Sequence, residues 1–270
     1  MLTRRRLLPL AVALPLAACA AVPAADSPAE LTVVTFNIWH DMGDWPARRP
    51  LVIEALREMD ADVIALQEVL QDTDLPNQAE DIARALGGYS VHFVSVDPPS
   101  QARRYGNAVL TRLPVLETGE HRLRPLKDSR TLATVRVSVN GRPIQIAATH
   151  LHHTPEGGAL RASQIDDALA VIGPGQGPVI LLGDFNAPAE APEFEEVREI
   201  FADALQGADP AAAARSTLVT AHGHRSARID HIFVQADRFQ VLSARLAADQ
   251  PVAGVWPSDH VAVVARLRLR

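Results

Sequence analysis

The sequence contains a single cysteine, Cys19, among its 270 residues. One cysteine cannot close an internal disulfide, even in an oxidising compartment. The chain also lacks a C-x-x-C pair and an H-E-x-x-H helix, which argues against a zinc site of either type. Aromatic residues make up only 4% of the chain. A platform for stacking nucleic-acid bases is therefore not indicated.

The first apolar run, residues 7–18, follows three arginines and is too short to span a bilayer comfortably. Such a run is typical of an export signal, and its end, LAAC, resembles the bacterial lipobox. We therefore expect residues 1–18 to be a signal peptide and residues 19–30 a tether lipidated at Cys19. The expected location is that of an exported bacterial membrane lipoprotein facing the periplasm or the exterior. A cleaved secretory peptide with an incidental cysteine is the alternative, and Sec and twin-arginine export both stay open.

The full chain carries 26 basic and 32 acidic residues, a net charge of −6. Removal of the three leader arginines changes the net charge to −9. Such a surface does not attract nucleic acid or anionic lipid by its mean field, although a metal ion can reverse the sign at one site. Hydrophobic residues form 47% of the chain, enough for the core of one domain over residues 31–270.

Strand and helix patterns alternate from Glu30 onward. Residues 31–38 are rich in β-formers and predict a buried strand, and the Asn140-Gly141 pair predicts a hairpin turn. Hairpins combined with strand–helix units favour two packed mixed sheets with helices on their outer faces. Predicted helices span residues 49–60, 77–88, 157–172 and 191–205, and residues 208–216 are a predicted loop.

Polar side chains recur where the apolar strands end. They are Asn37, Glu68, His150, Asp184, Asn186, Asp230, Asp259 and His260. Strand ends are where rigid scaffolds aim functional groups, and carboxylate and amide oxygens suit Mg²⁺, Mn²⁺ or Ca²⁺. The pair at 184 and 186 lies two positions apart on an extended segment, so both side chains share one face.

These residues fall within motifs that occur in one order along residues 31–270: TFNIW, LQEV, YGNAVLTRLPV, ATHLHH, LRASQ, LLGDFNA, RIDHIFV and SDHVAV. In this order the chain resembles the endonuclease/exonuclease/phosphatase family, which has the fold of deoxyribonuclease I and its relatives. The resemblance implies an α/β fold, a four-layered α-β-β-α sandwich. It also implies divalent-metal-dependent hydrolysis of phosphodiester or phosphomonoester bonds by an activated water.

The resemblance also implies roles for single residues. Glu68 is expected to be the principal ligand of Mg²⁺ or Mn²⁺, with Asn37 close by and Asp259 as a further ligand. Five residues are expected to be catalytic. Asp184 is expected to accept a proton from the attacking water, and Asn186 to hold that water or a phosphate oxygen. His260 is expected to contact the scissile phosphate and to be oriented by Asp230, and His150 is expected to be a second phosphate-contacting or proton-donating histidine. Asp184 has also been considered a metal ligand in the family. Arg130, Tyr105 and Asn107 are assigned to phosphate binding, and Asn107 is expected to support the loop of the site.

Other features stay open. Trp39 is either a substrate-facing aromatic or a packed edge residue, and His152 and His153 are more ordinary as exposed loop histidines than as ligands. The partners expected are a phosphate-ester substrate of nucleic acid, phospholipid or inositol-phosphate type, and a membrane reached through Cys19. No protein partner is implied, and a monomer is expected. The alternatives are a catalytically inactive binding protein on the same fold and a zinc hydrolase of unrelated fold.

Overall fold

The computed structural model describes residues 29–173, 175 and 177–270. The predicted signal peptide, Cys19 and nearly all of the predicted tether lie outside the described residues. None of the helices in the described part of the chain is long and apolar enough to cross a membrane.

Twelve strands and six α-helices are found in the described residues. The strands are β1 Glu30–Asn37, β2 Val63–Gln71, β3 Ser90–Ser95, β4 Arg104–Thr111, β5 Val115–Arg122, β6 Thr131–Val139, β7 Arg142–His150, β8 Val179–Asp184, β9 Ala202–Asp203, β10 Asp230–Val234, β11 Phe239–Ala247 and β12 Ala262–Leu269. The helices are α1 Trp45–Met59, α2 Gln78–Leu86, α3 Gly158–Ile172, α4 Glu195–Ile200, α5 Ala204–Ala208 and α6 Pro210–Ala213.

The strands form two six-stranded sheets, with orders β11-β12-β1-β2-β4-β3 and β5-β6-β7-β8-β10-β9. Within each sheet one pair is parallel, β1 with β2 and β7 with β8, and the others are antiparallel. Each parallel pair is joined by a strand–helix–strand unit, as parallel neighbours require. The predicted pair of mixed sheets is therefore confirmed.

Because side chains alternate between the two faces of each strand, the protein has three layers of hydrophobic core. Val33 and Val63 point between the two sheets, whereas their neighbours Val34 and Ile64 point to the outer face, where α1 and α2 pack. A third cluster joins the outer face of the second sheet to α3 and α4. Because successive side chains on a strand face opposite sides, both sheets are apolar on both faces. The predicted four-layered α-β-β-α sandwich is confirmed.

The predicted hairpin turn at Asn140-Gly141 joins β6 to β7, and both residues have positive φ angles of 50° and 79°. Two successive residues with positive φ are what a two-residue hairpin of this hand requires.

Three predicted element boundaries were wrong. Helix α1 begins at Trp45 rather than at residue 49, because Asp44 caps the helix by accepting the N–H of Ala47. The single helix predicted over residues 191–205 is broken at Phe201, whose backbone is extended, and β9 follows it. The predicted loop over residues 208–216 contains the short helix α6, capped by Asp209.

Candidate active site

The polar strand ends meet at one edge of the sandwich, around a cavity of about 690 Å³. Strand register explains the meeting: Asp184 is aligned with His150 on one side and with Asp230 on the other. The cavity is lined by Glu68, Val96, Asp97, Tyr105, Asp128, Ser129, Arg130, His150, His153, Pro155, Asp184, Asn186, Leu218, His224, Arg225, Ile229, Asp259 and His260.

Glu68 reaches the cavity because β2 is irregular at that point. The pairing of β2 with β4 shifts register between Leu66 and Val69, and Glu68 has a φ of +58°. A bulge of this kind re-aims a side chain that regular pleating would point elsewhere, and a positive φ in a non-glycine residue is strained. The Glu68 carboxylate is partly exposed, and one of its oxygens lies 3.9 Å from the imidazole of His40.

Asp184 is buried at the centre of the polar set. Its Oδ2 accepts a hydrogen bond from the amide of Asn37 at 3.0 Å, and its Oδ1 accepts the N–H of Asn186 at 2.9 Å. Burial raises the pKa of Asp184 to about 7, and the nearby charge of Asp230 adds to the rise. A carboxyl group with a pKa near neutrality is suited to accept a proton at physiological pH.

His260 carries its own carboxylate partner. Its Nδ1 lies 2.9 Å from Oδ2 of Asp230, and its Nε2 lies 3.8 Å from Oδ2 of Asp184. Burial by itself lowers the pKa of His260, but the carboxylates of Asp230 and Asp184 outweigh it and raise the value to about 10. His260 is therefore a buried imidazolium, and Asp230 stands behind it, away from the cavity wall.

His150 has the opposite protonation state. Its Nε2 lies 3.5 Å from Oδ2 of Asp184. Burial holds the pKa of His150 well below its usual range, and the nearby charges of Arg130 and His260 lower it further. Its imidazole is neutral at pH 7, so it serves as a neutral hydrogen-bonding group rather than as an imidazolium acid.

The turn after Asp184 is shaped by Asn186, which has a φ of +56°. Its side-chain amide donates to the carbonyl of Leu151 at 3.0 Å, and Asn186 also lines the cavity. Asn37 lies behind Asp184 rather than on the cavity wall, and its Oδ1 accepts the N–H of Trp39 at 3.0 Å. Both asparagines thus act on Asp184 through hydrogen bonds.

The three predicted phosphate-binding residues take different positions. Arg130 and Tyr105 line the cavity, and the Tyr105 hydroxyl stays protonated because burial and Glu68 raise its pKa. Asn107 is buried beside the cavity and donates its amide to the hydroxyl of Thr131 at 3.1 Å. Asn107 therefore supports the strand that follows Arg130, as its expected supporting role requires.

The sequence profile of the endonuclease/exonuclease/phosphatase family matches residues 34–260, which is most of the chain. The chain belongs to the endonuclease/exonuclease/phosphatase family. Members of this family are hydrolytic phosphoesterases, and they use a divalent metal. No curated protein matches the chain in sequence.

Solved structures agree with the family assignment. An endonuclease/exonuclease/phosphatase from Beutenbergia cavernae DSM 12333 is 25% identical, with a TM-score of 0.71 over 89% of this chain and 72% of that chain. Truncated TDP2 from Caenorhabditis elegans is 24% identical, with a TM-score of 0.72 over 88% and 98%. The human nocturnin catalytic domain with bound sulfate anion is 22% identical, with a TM-score of 0.73 over 90% and 94%. At these identities the last two show the shared fold alone.

The side chains present fit the divalent metal of the family. The carboxylates of Glu68, Asp184 and Asp259 all line the cavity, and hard oxygen donors of this kind suit Mg²⁺ or Mn²⁺. Ligand atoms of Asp184, Asp230 and His260 also lie within 4.8 Å of one another, but the charged His260 ring offers no free nitrogen to a cation and Asp230 lies off the cavity wall, so the fit rests on the three cavity carboxylates. The trio of Asp184, Asp230 and His260 is the only cluster of three or more such ligands among the described residues.

The contacts of His152 argue against the alternative of a zinc hydrolase. Both ring nitrogens of His152 are engaged, Nδ1 with Asp128 at 2.8 Å and Nε2 with Thr154 at 2.9 Å. His152 is also buried, so the expectation of an exposed loop histidine was wrong for this residue. His153 is exposed and lines the cavity.

Trp39 is a packed residue and not a substrate-facing aromatic. Its ring lies 4.8 Å from that of His222 and 5.0 Å from the guanidinium carbon of Arg48, and it does not line the cavity. Arg48 is buried and donates to five backbone carbonyls on the loops that carry Asn37 and Asp259; the acceptors are Ile38, Trp39, His40, Met42 and Pro257.

Among the charged or polar residues of the cavity, sequence reasoning did not assign Asp128, His224 or Arg225 to the site, and it left His153 open. His153, His224 and Arg225 are on loops and Asp128 ends a short 3-10 helix, where no periodic pattern marks a residue as inward-facing. His224 lies 2.9 Å from a carboxylate oxygen of Asp259, the predicted metal ligand. Only the short spacing of His153 from His150 was a usable signal.

Proposed function

We propose that this protein is a divalent-metal-dependent phosphoesterase that hydrolyses phosphodiester or phosphomonoester bonds by in-line attack of a water molecule. The observation that carries the proposal is the position of Asp184, a buried carboxyl group whose pKa is raised by burial. It lies between a neutral imidazole at 3.5 Å and a charged imidazole at 3.8 Å. The complete polar set gives no support to the catalytically inactive alternative.

In this mechanism Asp184 accepts the proton of the attacking water. The imidazolium of His260 contacts the scissile phosphate and offsets its developing negative charge, while Asp230 fixes the ring through its 2.9 Å hydrogen bond. His150 contributes a hydrogen bond from a neutral ring, and Arg130 offers guanidinium donors to a phosphate group of the substrate. The Asn186 backbone keeps the Asp184 carboxylate in place through its 2.9 Å hydrogen bond.

Glu68 and Asp259 are the residues we assign to the metal, Mg²⁺ or Mn²⁺, while Asn37 lies behind Asp184 and supports its carboxylate. When bound, the metal polarises a phosphoryl oxygen and stabilises charge on the leaving oxygen. The carboxylates also explain why the site needs a cation, since the acidic groups on the cavity wall would otherwise repel a phosphate.

Hydrolysis of bis-p-nitrophenyl phosphate with Mg²⁺, Mn²⁺ or Zn²⁺ tests the proposal. Asp184→Asn and Glu68→Gln should each lower kcat by at least roughly a hundred-fold, because each removes one charge from a preorganised site. Asp167→Asn is the matched control, because this carboxylate belongs to α3, bonds to the exposed Arg124 and does not line the cavity. An Asp184→Asn protein as fast as wild type would exclude the mechanism.

The natural substrate is proposed to be of nucleic acid, phospholipid or inositol-phosphate type. A panel of plasmid DNA, RNA, sphingomyelin and inositol phosphates with Mg²⁺ present distinguishes these classes. We also propose that the enzyme is a lipoprotein anchored through Cys19. Metabolic labelling with a fatty acid should mark the wild-type chain and leave Cys19→Ser unlabelled.

A further inference from the structure

The two histidines that follow Leu151 lie in different environments. His152 is buried, and both of its ring nitrogens are engaged. His153 is exposed and lines the cavity, and its Nδ1 lies 3.3 Å from a terminal nitrogen of Arg130. No other hydrogen bond of the His153 ring is found in the described part of the chain. Of these two histidines, His153 is therefore the one whose ring can donate a hydrogen bond to a substrate.

Arg130 also has unused donors. Its buried Nε has no hydrogen-bond acceptor among the described residues. The nearest carboxylate oxygen, Oδ2 of Asp128, is 3.8 Å away and already accepts the amide of Gln164 at 2.6 Å. A guanidinium carries five N–H donors, and the contact with His153 is the only hydrogen bond of Arg130 found among the described residues, so donors on the cavity wall remain for an acceptor of the substrate.

The wall that carries these two side chains is fixed by α3. Gln164 is buried, and its amide oxygen accepts the N–H of His152 at 2.9 Å. Arg161, also buried, pairs with Glu193 at 2.7 Å and donates to the carbonyl of Thr154 at 2.6 Å. The conformation of the loop that carries His153 is thereby set before any substrate binds.

The tautomer of His153 follows from its neighbour. Because Nδ1 faces a guanidinium, which can only donate, it accepts a hydrogen bond, and this leaves Nε2 as the donor nitrogen of the ring. Arg130 and His153 thus both line the cavity and both offer N–H donors, the groups that bind oxyanions. The buried residues Asp184 and His260 surround the scissile bond, whereas His153 is exposed at the rim of the same cavity.

We propose that Arg130 and His153 form a subsite for a second phosphate group of the substrate, next to the scissile one. The inference rests on the proposed function and adds to it a specificity-determining residue, His153. It narrows the substrate to a phosphate ester that carries a further phosphate within reach of the cavity rim.

The test compares thymidine 5′-phosphate with thymidine 3′,5′-bisphosphate as inhibitors of bis-p-nitrophenyl phosphate hydrolysis. The measured quantity is the ratio of the two inhibition constants, because general changes at the site cancel in it. The bisphosphate should bind the wild-type enzyme roughly ten-fold or more tightly than the monophosphate, as one added charge-assisted contact implies. His153→Ala should remove most of that advantage, and His153→Gln, whose amide can replace the Nε2 donor, should retain part of it.

His121→Gln is the matched control, since this histidine lies on β5 and does not line the cavity. A wild-type ratio near one would overturn the subsite while leaving the proposed function intact. An equal loss of both inhibitors in His153→Ala would also overturn it, because the pair would then contact the scissile phosphate. If the wild-type enzyme hydrolyses no phosphate ester, the proposed function fails, and calorimetry with the same two nucleotides still decides the subsite.

Discussion

Replacement of Asp230 by asparagine should neutralise His260. In the wild type the His260 ring is buried, yet its pKa is about 10 because Asp230 and Asp184 favour the charged form. The Asp230→Asn substitution keeps the size of the side chain and removes its charge. Burial then dominates, and the pKa of His260 should fall below about 7.

The magnitude follows from the pKa. A value of about 10 against the ordinary 6.5 corresponds to a net stabilisation of the imidazolium on the order of 5 kcal/mol. Asp230 makes the largest of the favourable contributions, through its charge and its 2.9 Å hydrogen bond. At pH 8 the wild-type ring is charged and the variant ring is neutral, so kcat should fall by roughly a hundred-fold.

The assay is an NMR titration of metal-free protein labelled at histidine, from pH 5 to about pH 10. Ten histidines are present, and the His260 signals are assigned as those missing from a His260→Gln variant. The wild-type His260 signal should stay in its protonated position beyond pH 9. In Asp230→Asn it should titrate near or below neutrality. A wild-type His260 that titrates below pH 8, or a signal that Asp230→Asn leaves unmoved, would refute the electrostatic account of the site.

Three further predictions concern stability and are measured by urea unfolding. Arg48→Met should lower the free energy of unfolding by about 3–5 kcal/mol, because five backbone carbonyls lose their donor and those of Ile38 and Pro257 are left buried and unsatisfied. The pKa of Asp203 is held low because a buried histidine and a buried arginine outweigh the effect of burial. The contribution of Asp203 to the free energy of unfolding is therefore fully present above its unfolded pKa near 3.8, and it is lost as the pH falls through the lower folded pKa. Asp203→Asn should therefore destabilise the protein at pH 7 and progressively less below about pH 4. Gly183→Ala should prevent folding, because the new Cβ would lie 2.0 Å from the carbonyl oxygen of Thr149, whereas Gly207→Ala, with open space around it, should fold normally.

The sandwich and the centre of the site could be predicted from the sequence because both depend on strand patterns. Apolar strand residues give way to polar ones at one end of β7, β8 and β10, and parallel or antiparallel register alone then aligns His150, Asp184 and Asp230. His260 joins them because the loop before β12 returns to the same edge of the sheet, where its ring bonds to Asp230.

The break in the predicted helix over residues 191–205 could not be read from local pattern. Phe194, Val197 and Phe201 are all buried at helical spacing, so the apolar period runs through the break. What ends the helix is tertiary: β9 pairs with β10, and Asp203 accepts hydrogen bonds from a buried arginine and histidine. Long-range pairing of this kind overrides a local helical preference.

The position of Glu68 shows a second limit. LQEV marks a strand with a carboxylate, and regular pleating would alternate Gln67 and Glu68 between opposite faces. The bulge between Leu66 and Val69 places Glu68 on the cavity, and nothing in the local composition encodes it. The rim residues His224 and Arg225 were missed for a related reason, since loop residues have no fixed period.

The charge states of the two histidines beside Asp184 follow from their different neighbours. Both rings are buried and both lie within 4 Å of Oδ2 of Asp184, so burial and that carboxylate alone would treat them alike. The difference is that His260 is hydrogen-bonded to Asp230, whereas His150 faces the cations of Arg130 and His260. Asp184 is thereby held between one charged and one neutral ring. Burial raises its pKa to about 7, and the charge of His260 offsets only part of that rise. A carboxylate that must first accept a proton from water and then release it requires this intermediate affinity.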